Sequence, residues 1–183
     1  AAATGIIYKV GLQSDGKIII VGSFTKYNAV TANRMARILP NGTLDPSFNT
    51  GTGASALITN VEILPDQKII IAGAFTVFNG VAANRMVRLL SDGRVDEHFS
   101  IGTAFNDDVN AIAIQSDGKI ILGGKFTNYN GNSANRIIRI NYDGTLDSGF
   151  LSGSGLSKDA VQVIKIDASG TIAVGGSFTG YYN

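Results

Sequence analysis

The sequence contains no cysteine, which excludes disulfide bonds and thiolate metal sites. It has one histidine, His98, and only three prolines in 183 residues. Opposite charges nearly cancel, with 15 basic and 14 acidic residues. The basic residues are spread along the chain rather than gathered into a patch, so neither a nucleic-acid partner nor an anionic membrane surface is expected. No apolar run approaches the roughly 18 residues that cross a bilayer, and membrane insertion is not expected. The opening Ala1-Ala2-Ala3-Thr4 lacks a charged segment followed by a long apolar one, so no signal peptide is expected either. Missing cysteine does not by itself fix the compartment. What is abundant is glycine, 23 residues set among short Ile and Val runs. That composition belongs to an all-β chain with many tight turns.

An internal repeat organises the sequence. Phe24, Phe75, Phe126 and Phe178 each sit in Gly-x-Phe-Thr, at successive spacings of 51, 51 and 52 residues. Asn33-Arg34, Asn84-Arg85 and Asn135-Arg136 recur at the same interval, as do Asp45-x-x-Phe48, Asp96-x-x-Phe99 and Asp147-x-x-Phe150. Turn markers keep step: Asp15-Gly16, Asp66-Gln67, Asp117-Gly118 and Ser169-Gly170. The extra residue falls between Phe150 and Val161, in a Gly/Ser-rich stretch where an insertion is tolerated.

The third repeat reads as four strands. Residues 109–115 are the first, and Asp117-Gly118 supplies the φ > 0 positions of a two-residue hairpin turn. Residues 119–127 are the second, apolar on both faces at its start. An Asn-rich loop, 128–135, leads to a third strand at 136–141. Asp143-Gly144 then turns the chain into a short fourth, 145–150. A four-stranded antiparallel sheet of this size cannot bury both faces alone, and radial stacking of such sheets makes a β-propeller. Gly22, Gly73, Gly123, Gly124, Gly175 and Gly176 fit close approach of neighbouring sheets. The expected units are 1–50, 51–101, 102–152 and 153–183, the last being half a repeat. They would form an incomplete arc of three blades plus a half blade, with bare strand edges. A segment of a longer polypeptide is the preferred reading, and completion of the half blade by another copy is the alternative.

The pattern DGKIII-VGSFT, then NR-x-x-R, then NGTLDPSF resembles the delta-60 repeat of bacterial and phage β-propeller proteins over essentially the whole chain. The resemblance implies a propeller in a large surface-exposed, secreted or virion-associated protein, of tail-fibre or adhesin type. It implies extracellular, cell-surface or virion localisation, no catalytic residue and no cofactor. Partners would be other proteins or further blades of the same polypeptide, with a glycan as an added candidate. The second repeat departs at Gln67, where the pattern has Gly and the turn type is open.

Several residues invite a functional reading. Arg34, Arg37 and their repeats could hold an anion or sugar. Exact recurrence favours a lattice role, with one Arg of each pair bonding Asp45, Asp96 or Asp147. Arg34, Arg85, Arg136 and those three aspartates are therefore expected to be structural. The regularly spaced Phe24, Phe75, Phe126 and Phe178 are expected in the inter-blade core. Tyr27, Phe78 and Tyr129 open the Asn-rich loop and are candidates either for an exposed aromatic rim or for capping the blade. With Asn130 and Asn132 they make the candidate surface for a lectin-like alternative. Asn128 to Asn132 alternates amides without an acid, a weak pattern for calcium. His98 stands at a variable position without a nucleophile or an orienting partner in the sequence. Asp107-Asp108 reads as a solvated turn. Gly51-x-Gly53 and Gly153-x-Gly155 open no helix and are not phosphate loops. No metal or catalytic residue is assigned.

Overall fold

The computed structural model describes residues 2–150, 155–178 and 181–182, which form strands and turns without a helix. The chain divides into two compact units, Ala1–Asp96 and Glu97–Asn183. In the first unit, Ile7–Leu12, Ile18–Gly22 and Met35–Ile38 make one antiparallel sheet. Ile58–Ile63, Ile69–Gly73 and Met86–Leu89 make another. The second unit repeats the arrangement with Val109–Ile114, Ile120–Gly124 and Ile137–Ile140, and then pairs Val161–Ile166 with Ile172–Gly176. In each three-stranded sheet the strand that follows the turn marker lies in the middle. Its Ile/Val/Leu run suits a pleat covered on both faces, and Ile69–Gly73 and Ile120–Gly124 are buried throughout.

The first hairpin of every repeat is closed by three residues, not two. Gln115 N donates to Lys119 O at 2.9 Å and Gly118 N to Gln115 O at 2.9 Å. Only the last loop residue is left-handed: Gly16 at φ 80°, Gln67 at 66°, Gly118 at 83° and Gly170 at 86°. The preceding Asp117 instead keeps an ordinary φ and uses its carboxylate to accept Lys119 N at 3.0 Å. Gln67 therefore adopts the same turn as its glycine counterparts, and its Oε1 accepts Ser14 N at 3.2 Å from the neighbouring repeat's turn.

The expected fourth strand is reduced to a single bridge: Ile38 with Leu44, Leu89 with Val95, Ile140 with Leu146. Its physical cause is the aspartate that follows. Gly149 N donates to Asp147 Oδ1 at 3.0 Å and Phe150 N to Asp147 O at 3.1 Å, which curls the chain into a turn where a ladder would need it extended. The Asn-rich loop, conversely, contains a hairpin of its own. Lys26–Tyr27 pairs Val30–Thr31, Val77–Phe78 pairs Val81–Ala82 and Asn128–Tyr129 pairs Asn132–Ser133. Asn130 at φ 49° and Gly131 at φ 82° give the two left-handed residues of a type I′ turn.

Two kinds of close approach explain the second-strand glycines. A methyl group on Gly22, Gly73, Gly124 or Gly176 would sit 2.0–2.3 Å from the carbonyl oxygen of Ile6, Leu57, Asp108 or Ala160. That oxygen belongs to the bulged start of the same sheet's first strand, so these four glycines serve their own sheet, contrary to the expectation of contact between sheets. Gly123 does meet the next sheet: a methyl there would overlap Val161 and Ile164.

Neighbouring sheets share one core within each unit. In the first, Ile19, Val21 and Met35 pack with Ile58, Val61, Ile69, Ile71 and Phe75. In the second, Ala111, Ile121 and Ile137 pack with Leu156, Val161 and Ile164. The faces of Ile58–Ile63 and Val161–Ile166 that carry Val61 and Ile164 are thus covered by the preceding repeat.

Candidate functional site

The most polar buried feature recurs in each complete repeat. Arg37, Arg88 and Arg139 lie in the third strand, and their Nε atoms donate to Asp45 at 2.8 Å, Asp96 at 2.8 Å and Asp147 at 2.6 Å. The backbone closes the same loop, with Asp96 N donating to Arg88 O at 2.9 Å. A lysine from the first hairpin adds a second cation: Lys17, Lys68 and Lys119 stand 3.9, 3.1 and 2.9 Å from the same carboxylates. Guanidinium carbons sit over the motif's own phenylalanine, Arg37 over Phe48 at 4.6 Å and Arg139 over Phe150 at 4.8 Å. Arg37 also donates to Ser91 O of the next repeat.

Electrostatics keep Asp45 and Asp147 ionised. Burial alone would raise the Asp45 carboxyl, but the Ser47 hydroxyl and amide and the Arg37 guanidinium outweigh it and hold it low. Hydrogen bonds from Lys119 and then Arg139 hold Asp147 at about 2, against an ordinary 3.8. Asp15 is lowered by Lys17, Asp92 by the Arg94 amide and Asp167 by the Ser169 hydroxyl. A general acid needs a carboxyl pushed upward, and each of these five is pushed the other way. The sign for stability follows. A carboxyl held below its unfolded value stabilises the fold fully above about pH 5, and that contribution is lost as pH falls toward about 2. The urea midpoint is expected to drop across this window, and Asp147→Asn is expected to flatten the drop. Equal acid limbs in variant and wild type would contradict it.

Arg34, Arg85 and Arg136 do something different. Each has a left-handed backbone, φ 67°, 70° and 67°, which costs a non-glycine residue about 1–2 kcal/mol. In return the residue pairs twice with the Gly-x-Phe segment: Arg34 N donates to Phe24 O at 2.8 Å, and Arg34 O accepts Gly22 N at 2.9 Å. The guanidinium tips bond main-chain oxygens: Arg34 to Ala54 at 2.8 Å, Arg85 to Ala74, and Arg136 to Lys158 at 3.0 Å and Phe126 at 3.2 Å. The aspartates' partner is thus the second arginine of each pair, a choice the spacing had left open.

The rim reading of Tyr27, Phe78 and Tyr129 is corrected. All three rings are buried, at 8%, 0% and 1% exposure, so none offers a face for stacking. They cap the sheet: Tyr27 Oη donates to Gly42 O at 3.1 Å, and Tyr129 Oη donates to Gly144 O. Burial pushes the Tyr129 phenol well above its ordinary value. Asn130 and Asn132 are exposed but engaged locally, Asn130 Oδ1 accepting Thr103 N at 3.3 Å and Asn132 Nδ2 donating to Asn130 O at 3.2 Å. Phe24, Phe75 and Phe126 are fully buried, and Phe178 is half-buried against the core of the second unit. His98 is exposed, and Asp108 lies 3.6 Å from Lys125. Among the described residues no three His, Cys, Asp or Glu side chains come together as a metal site would need. A concavity in the first unit is lined by Gln13, Asp15, Lys17, Arg37, Gln67 and Asp92, among others.

A family model described as "Domain of unknown function (DUF5122) beta-propeller" matches three times, over residues 13–48, 64–99 and 115–150. No curated protein matches the chain by sequence. Among solved structures, a gluconolactonase from Xanthomonas campestris is similar with TM-score 0.57 and 12% identity, over 96% of this chain and 57% of that one. The extracellular domain of BT4673 from B. thetaiotaomicron is similar with TM-score 0.50 and 16% identity, over 92% of this chain and 20% of that one. The chain therefore spans little more than half of the first and a fifth of the second. At these identities the likeness concerns the fold alone.

Proposed function

The chain belongs to this DUF5122 β-propeller family, and on that premise we propose that it is a non-catalytic structural and interaction module of a larger surface-exposed or secreted protein. Its repeats would be the units 1–50, 51–101, 102–152 and 153–183 of one propeller. The observation that carries the reading is the use made of the charged residues. Arg37, Arg88 and Arg139 meet Asp45, Asp96 and Asp147 at every copy, inside the sheet edge. A catalytic or binding site needs one copy of its groups, whereas a stacked repeat needs them all. The extracellular setting of the BT4673 domain is in keeping with a secreted or surface location, and the delta-60 pattern extends the proposal to virion fibres and adhesins.

The fold is also similar to that of a gluconolactonase, which supplies the test. Purified chain is assayed for hydrolysis of glucono-lactone with and without divalent cations. The expected rate is that of the uncatalysed reaction. Turnover abolished by substituting a single carboxylate of this chain would overturn the proposal.

A further inference from the structure

The charged groups that recur at every copy are spent on the fold. The concavity of the first unit also gathers neutral polar groups that are not. It lies where the first hairpin turn of repeat one, with Gln13 and Ser14, meets both turns of repeat two, with Gln67 and Ser91. Every side chain lining it is polar or charged, and none is aromatic. It holds about 360 Å³, at the lower end of the roughly 300–1,000 Å³ usual for small-molecule sites.

Gln13 is the anomaly in it. In the third repeat Gln115 has the same place, and its Oε1 accepts Arg139 Nη1 at 3.3 Å. In the first repeat Arg37 donates instead to Asp45, Ser47 and the Ser91 carbonyl. Gln13 is only 5% exposed, and its Oε1 is enclosed without a donor. An enclosed acceptor without a partner costs stability. The second repeat avoids that cost with Leu64, which is buried, so the fold does not require an amide here. The other arm of the amide, Nε2, is neither enclosed nor hydrogen-bonded among the described residues. A half turn about the soft terminal torsion exchanges the two.

Three more lining groups have no hydrogen-bond partner among the described residues: the hydroxyls of Ser14 and Ser91, and Gln67 Nε2. Gln67 spends only its Oε1, on Ser14 N. Gln67 stands where repeats one and three have Gly16 and Gly118, and Ser91 where they have Pro40 and Tyr142. These four groups therefore meet at one copy, as a binding site needs and a lattice does not.

The charges around them are already matched. Lys17 lies 2.8 Å from Asp15, Arg37 2.8 Å from Asp45 and Asp92 2.8 Å from Arg94. A ligand suited to this lining is thus neutral. It must donate to Gln13 Oε1 and accept from Gln67 Nε2, and neighbouring hydroxyl groups do both. We propose that the concavity binds a neutral saccharide through Gln13, Ser14, Gln67 and Ser91, held by hydrogen bonds without ring stacking. None of these residues belongs to the Asn-rich loop. The inference deepens the reading of the chain as an interaction module by naming a ligand class, and it rests on that reading.

The test follows assigned backbone amides by NMR while the purified chain is titrated with glucose, galactose, mannose and N-acetylglucosamine at millimolar concentrations, and separately with inorganic phosphate. At least one sugar is expected to shift the amides of residues 13–17, 67 and 91–92 saturably, and phosphate to leave them in place. Two variants borrow what the other repeats use, Gln13→Leu from the second and Gln67→Gly from the first and third. Each is expected to weaken sugar binding about tenfold, the effect of one lost hydrogen bond. Neither urea midpoint is expected to fall: the first removes an enclosed acceptor, and the second places glycine at a left-handed φ of 66°. Amides that no sugar moves, variants that bind as wild type does, or shifts caused by phosphate and by no sugar would overturn the inference. Any of these leaves the non-catalytic reading to the lactone assay, so the two fail separately.

Discussion

Phe126→Ala is expected to lower the unfolding free energy by about 3–5 kcal/mol, the range for truncating a large buried aromatic. Phe126 is fully buried at one end of an aromatic group: its ring lies 4.6 Å from that of Phe105, which in turn lies 4.7 Å from that of Tyr129. Its backbone oxygen also receives Arg136 N at 2.9 Å, so the residue ties the second strand to the third. Truncation removes the ring from Phe105 and leaves a void that a stiff sheet collapses only in part. Phe126→Leu keeps most of the apolar volume and is expected to cost distinctly less. Urea unfolding followed by circular dichroism reads both. A Phe126→Ala midpoint equal to wild type would show that the ring is not core.

Asp96→Ala is expected to be as damaging, at about 3–5 kcal/mol, because it leaves buried positive charge uncompensated. The side chains of Arg88 and Asp96 are 2% and 1% exposed, and Lys68 approaches the same carboxylate at 3.1 Å. The magnitude comes from desolvation rather than from the Coulomb attraction lost. Two changes separate these contributions. Lys68→Ala removes a cation whose side chain is 26% exposed, and is expected to cost under about 1 kcal/mol. The double change Arg88→Met with Asp96→Ala removes both members of the pair and is expected to recover much of the single-variant loss. A double variant as unstable as the sum of the singles would count against this account.

The repeat period and the all-β class were legible because spacing and turn residues survive in every copy. Burial of Phe24, Phe75 and Phe126 followed from the same regularity. The partner of Asp45 was not legible, since Arg34 and Arg37 both recur and spacing alone cannot choose. What decides is backbone conformation: Arg37 lies within a strand, while Arg34 is left-handed at its entrance. The hairpin inside the Asn-rich loop was hidden because two-residue strands carry no periodicity. Asn79-Gly80 and Asn130-Gly131 were nevertheless type I′ signals in plain view. The tyrosines of that loop were ambiguous because a tyrosine has an apolar body and a polar tip that serve a rim or a cap equally well. Phe78 at the same position was the clue: a ring without a hydroxyl fits burial better than a polar surface.

The claim that the recurring residues form a lattice and not a site is tested most directly by making one substitution at all three copies. Asp45→Ala, Asp96→Ala and Asp147→Ala are prepared singly, and the urea unfolding midpoint of each is measured at neutral pH. The account predicts that every copy lowers the midpoint, Asp96 most because its pair is the most deeply buried. A copy whose removal leaves the midpoint unchanged would contradict it, and would mark that aspartate as held in place for something other than the fold.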